Sequence, residues 1–232
     1  MEDDKRFEPP EPSKGDAAHA VGRCLLSLIP YLGGPAVELF SALVTPPLER
    51  RREDWMRNIG EALRDLHEAE HINIDKLSED DGFIDTLLIA SQTAMRTSQE
   101  EKLESLKNAV LNTALPNHPD IALRHIFISL VDEFTEWHLR LLKLFQDPPA
   151  WAEANGYEFP VSNSLSRILE SAYPELQGKR SFYDLIWNDL VTRGLTNTGS
   201  LHGMMTSHGT LERRTSGIGN QFLRFIENPT EG

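Results

Sequence analysis

Residues 120–145 read DIALRHIFISLVDEFTEWHLRLLKLF, and this stretch decides the fold class. Leu123, Phe127, Leu130, Phe134, Trp137, Leu141 and Phe145 recur at steps of three and four, the period of one helix face. Ile126, Val131, His138 and Leu142 widen the same stripe. Asp120 stands where an acid favours a helix start, and Pro148-Pro149 stands where a helix has to stop. The spacing predicts one helix from Pro119 to Phe145, about seven turns long. A stripe this wide must be covered by other helices, so the chain reads as mainly α.

The same period runs upstream. Leu48, Trp55, Ile59, Leu63 and Leu66 share a face of a helix that begins after Pro46-Pro47 and ends near His71. Ser78-Glu79-Asp80-Asp81 opens the next, carried by Phe83, Ile84, Leu87, Leu88, Ala94 and Met95. Ser98-Gln99-Glu100-Glu101 resembles a capping box, but Leu103, Leu106, Val110 and Ala114 keep the phase. The reading is one continuous helix, kinked there, that Pro116 ends.

Cys24–Leu48, CLLSLIPYLGGPAVELFSALVTPPL, holds a single charge, Glu38, before the run Glu49-Arg50-Arg51-Arg52. Prolines and the Gly33-Gly34 turn make it a hairpin of two short helices, a first over roughly 16–29 that Pro30 ends and a second from Pro35 to Thr45. It is too broken to span a bilayer, which takes about 20 apolar residues. The expected cover is the bundle itself, with Leu32, Val37, Phe40 and Leu43 against the Trp55–Leu66 and Phe127–Trp137 faces. An oligomer interface and a conditionally inserted membrane hairpin are the other two readings.

The chain has 232 residues, 39% of them hydrophobic and 25% charged, with a formal net charge of −13. That balance disfavours a general nucleic-acid binder, because phosphate contacts need clustered Lys and Arg. Cys24 is the only cysteine, so there is no intramolecular disulfide and no zinc ribbon. The opening MEDDKRFEPPEPSKGD is acidic and proline-rich, unlike a secretory signal, and predicts a disordered tail over 1–16 and a cytoplasmic address. The domain reading is this tail, a helical bundle over 17–147 containing the apolar hairpin 24–48, and a smaller module over 160–232, divided near Pro148-Pro149.

In that module Ser164–Tyr173 and Ser181–Arg193 read as short helices, Ser181 and Asp184 in capping-box relation, Gly194 closing the second in the left-handed conformation. Thr210–Arg214 is a candidate strand and Thr215-Ser216 the cap of a last helix. Leu190-Val191-Thr192-Arg193-Gly194-Leu195 and Thr215-Ser216-Gly217-Ile218-Gly219 resemble the close of a recognition helix and the helix start after a wing. The resemblance to a winged helix implies an α+β module with a two-stranded hairpin. Nucleic acid is not its expected partner: Asp184 and Asp189 outnumber Arg193 on the segment that would read a groove. Tyr183 and Trp187, four apart, are the candidate protein-contact pair.

His67-Glu68-Ala69-Glu70-His71 matches H-E-x-x-H, in which two histidines one turn apart share a zinc and the Glu activates its water. Glu70 puts a charge where such sites keep an apolar residue, the pair falls at a helix end, and no third ligand follows at a recognisable spacing. His67 and His71 are therefore read as surface residues, with no metal or other cofactor expected, and a metal-dependent hydrolase at His67, Glu68 and His71 is the enzymatic alternative. Arg64 and His71 also fit the loose R-x6-H spacing of some helical ribonucleases. His138 lies on an apolar face and reads as a satisfied core histidine.

Gly33-Gly34-Pro35, then Glu101-Lys102-Leu103 with Asn108-Ala109-Val110, then Thr215, Gly219 and Phe222 form an arrangement that resembles bacterial helical proteins of the Abi-alpha abortive-infection group. The resemblance implies a setting in phage defence and no particular chemistry. The expected function is a cytoplasmic, non-enzymatic interaction or regulatory protein, working through a protein partner or self-association. A membrane-active helical effector using 24–48 is the main alternative.

Overall fold

Local signals set most helix ends. A computed structural model describes residues 35–160, 164–206 and 208–230, with side chains from Glu38 onward. The tail 1–16 and the first expected helix with its turn, the N-terminal arm of the hairpin, lie outside the described residues. Ten α-helices are present among the described ones: α1 Pro35–Glu68, α2 Ile74–Leu77, α3 Asp81–Arg96, α4 Glu100–Ala114, α5 Ile121–Glu133, α6 Glu136–Gln146, α7 Pro148–Ala154, α8 Leu165–Ala172, α9 Arg180–Thr192 and α10 Gly217–Ile226. The protein is mainly α. Asp80 and Asp120 accept from the N–H groups of Phe83 and Leu123, each at 3.1 Å, and so cap α3 and α5. Gly194, with φ of 71°, closes α9 while Leu195 donates back to the Leu190 carbonyl at 3.0 Å.

Three expected helices are corrected. α1 is not broken at Pro46-Pro47 but runs through both prolines. The carbonyls of Ala42 and Leu43, which lose their donors there, sit at exposed positions where water serves them. The run 78–115 is two helices, interrupted at Thr97–Gln99. The seven-turn helix is also two, because Phe134 is extended (ψ 147°) and Thr135 starts α6 afresh.

The chain divides into two compact units, and not at Pro148-Pro149. One comprises the described residues through Ser98 with Thr113–His118, the other Gln99–Asn112 with the described residues from Pro119 onward. The two prolines begin α7 instead of a linker: Asp147 accepts from the Ala150 N–H at 3.0 Å, and proline at the first helical turn forfeits no bond.

In the first unit, Trp55, Ile59 and Leu66 bury the anticipated face of α1, and the Trp55 indole N–H donates to Ser91 Oγ on α3 at 2.9 Å. In the second, Phe127 on α5 lies 5.5 Å from Phe222 and 5.6 Å from Phe225 on α10, centroid to centroid. Phe145 on α6 meets Trp187 on α9 edge-on at 5.2 Å. The last carbonyls of α10 have partners on α4: Asn108 Nδ2 donates to Ile226 at 3.1 Å, and Asn112 Nδ2 to Phe225 and Glu227 at 3.0 and 2.8 Å. The C-terminal segment is thus built into the same core as α4–α6.

The strand expected at Thr210–Arg214 is absent. Gly209–Leu211 forms a turn of 3-10 helix, and among the described residues the only extended pairing is a single antiparallel bridge, Thr196 to Thr215.

Candidate functional site

The first half of α1 carries apolar side chains that no other described residues bury. From Glu38 to Asp54 no residue of α1 is buried, and packing begins at Trp55. Leu39 is 63% exposed, Leu43 67% and Phe40 40%. The expected burial of Phe40 and Leu43 in the bundle is therefore corrected; Leu32 and the side chain of Val37 lie outside the described residues. Helical phase explains the difference. At about 100° per residue, Leu39 and Leu43 fall well over a quarter-turn from the direction of Trp55, Ile59 and Leu66. Phe40 sits between the two directions and is the least exposed of the three. One continuous helix cannot turn both sets inward.

A cleft of about 590 Å³ opens in the first unit, with His67, His71, Lys76, Asp80 and His118 among its walls and Ile72, Leu115 and Pro116 among its apolar lining. α1 ends before His71: the His71 N–H bonds to the Leu66 carbonyl at 3.0 Å and Glu70 takes a left-handed φ of 60°. The two histidines are thus not one turn apart on a helix, as the zinc motif requires. His67 donates from Nδ1 to the Ile72 carbonyl at 3.2 Å, and Glu68 lies 3.9 Å from Arg64, outside the cleft lining. His118 joins the cleft from 47 positions downstream of His71, a placement no spacing rule discloses. Among the described residues no group of three His, Cys, Asp or Glu side chains is arranged to hold a metal ion.

No family model, curated protein or solved structure matches this chain.

The candidate contact pair on α9 is also corrected. Tyr183 and Trp187 are 2% and 1% exposed, with the Tyr183 hydroxyl donating to Glu170 at 3.0 Å and the Trp187 indole N–H to the Thr198 carbonyl at 3.1 Å. Phe182 and Leu185 are the exposed apolar residues of this helix. The inward side of the helix supplies the polar partner that each buried aromatic tip needs. Asp184 caps nothing and instead receives His202 Nε2 at 2.7 Å.

His138 is the core histidine it was expected to be. It is buried, stacks on Phe134 at 4.6 Å, accepts from the Thr135 N–H at Nδ1 (3.1 Å) and faces Asp189 through Nε2 at 3.3 Å. Burial holds its pKa below the ordinary histidine value, with Lys102 and Arg193 adding to the depression and Asp189 opposing it. The native state thus binds fewer protons at His138 than the unfolded chain does. Its contribution to stability is full above about pH 6.5 and declines as pH falls below that value. Denaturant midpoints measured from pH 7.5 to 5.5 should fall less steeply in His138→Gln than in the native protein, by at most about 1.4 kcal/mol per pH unit. Equal slopes would exclude this imidazole as the source.

Proposed function

We propose that this chain is a non-enzymatic interaction or regulatory protein of bacterial phage defence, cytoplasmic, with the first half of α1 as its docking face. The observation that carries the reading is the exposed stripe Leu39, Phe40 and Leu43 on a helix whose own packing begins only at Trp55. Apolar side chains gathered on one uncovered face mark a surface that something else occupies. The broken geometry of His67, Glu68 and His71 argues against the hydrolase alternative. The Abi-alpha resemblance supplies the biological setting. The winged-helix-like reading of 160–232 enters as kinship of connectivity, α9 and α10 joined through the Thr196–Thr215 bridge, with its charges balanced and nucleic acid not its partner.

The reading is tested by phage plating on cells expressing the chain. Protection should be lost in Leu39→Ser/Leu43→Ser, whose melting temperature and expression level should match the native protein, and kept in His67→Ala/His71→Ala. Protection that survives the leucine changes and disappears with the histidines would overturn the proposal in favour of chemistry at the cleft.

A further inference from the structure

We infer that the occupant of the α1 docking face is an anionic lipid surface, on which the first half of the helix lies flat. The inference rests on the docking reading above and adds the chemistry of the partner. Its basis is the charge that shares the stripe. At about 100° per residue, Leu39, Phe40, Leu43, Pro47, Arg50, Arg51 and Arg57 fall in one sector of about 120°. Glu38, Glu49 and Glu53 fall outside it. Between Glu38 and Arg57, Asp54 is the one acid within the sector, and it is ion-paired with Arg57. Glu49 and Glu53, which flank Arg50-Arg51-Arg52 in the linear sequence, are therefore turned away from the face that carries the leucines. What remains is an apolar patch followed, two turns on, by arginines.

That pattern complements a membrane interface better than a second copy of the chain. Two such helices laid antiparallel would set each arginine pair against an uncharged patch, since Glu38 lies off the sector. Laid parallel, they would set arginine against arginine. An anionic bilayer takes Leu39, Phe40 and Leu43 at its acyl boundary and the guanidinium groups among its headgroups. Among the described residues no helix is long and apolar enough to cross a membrane, so the geometry is interfacial. The net charge of −13 makes the attraction short-ranged, because charges beyond a Debye length of about 8 Å are screened at physiological salt.

The test is flotation of the full chain with vesicles of phosphatidylcholine alone or mixed equally with phosphatidylglycerol, alongside sedimentation velocity without lipid. The native protein should float with the mixed vesicles, and less so as salt rises. Arg50→Gln/Arg51→Gln should weaken that binding about five-fold per arginine and flatten the salt dependence. Leu39→Ser/Leu43→Ser should weaken it at least about thirty-fold. All these side chains are at least partly exposed, so thermal melts should not move, and an unchanged melt confirms that the variants report on binding. Equal flotation with both vesicle types, or binding indifferent to these variants, overturns the inference. Absence of flotation together with self-association that Leu39→Ser/Leu43→Ser abolishes overturns the lipid partner and leaves the docking reading standing. If the leucine changes alter neither property, both fail.

Discussion

Gly219→Ala is expected to destabilise the second unit by about 3 kcal/mol or more. A Cβ at Gly219 would lie 2.1 Å from the carbonyl oxygen of Leu195 and 3.0 Å from its carbon, both backbone atoms. The carbonyl cannot step aside cheaply. It accepts the Ser216 N–H at 2.8 Å, and its residue is tied by its own N–H to Leu190. Gly219 is also where Ser216 caps α10, its N–H reaching the serine hydroxyl at 3.0 Å. Gly217, two residues earlier, is the control: a Cβ there meets nothing within 4 Å, so Gly217→Ala should be neutral or stabilising by up to about 1 kcal/mol. Urea unfolding of the two variants checks the contrast. Similar midpoints would mean that α10 shifts to admit the methyl and that the close approach is not a constraint.

Phe127→Ala should cost about 3–5 kcal/mol, a large share of the stability of a typical domain. The ring is fully buried and packs on both Phe222 and Phe225, so its removal leaves a cavity against α10, which other contacts already fix. α10 is held at its far end by Asn108 and Asn112, which limits how far it can collapse into the space. Phe40→Ala is the counterpart on the surface. At 40% exposure, that change should cost less than about 1 kcal/mol. Thermal melts of both decide the point, and a Phe40→Ala loss approaching that of Phe127→Ala would show that the start of α1 is covered after all.

The features legible in the sequence are those whose causes lie within about four residues. Asp80, Asp120, Ser216 and Gly194 fix helix ends by bonding to their own next or preceding turn, and each does so where its residue type predicts. The mainly α class follows likewise from periodicity. Periodicity cannot see a break that keeps phase, however. Phe134 ends α5 and still leaves Trp137 and Leu141 near their expected spacing, while the competition at Thr135 is won by a local cap and by the stacking of Phe134 on His138. Proline signals fail in the opposite sense, since Pro46-Pro47 interrupts only solvated bonds and Pro148-Pro149 begins a helix.

For the candidate site the sequence alone determined that Cys24–Leu48 is uncovered by charge and followed by arginines. Only the tertiary structure decided that Leu39 and Leu43 face away from the packed side of α1, and that Glu49 and Glu53 lie off their sector. The same holds for the inward turn of Tyr183 and Trp187, the arrival of His118 beside His67 and His71, and the contact of Gly219 with Leu195. Hydrophobicity is a property of a residue and is written in the chain. Its direction depends on helical phase relative to a neighbour supplied from far away in sequence, and that is settled only when the elements pack.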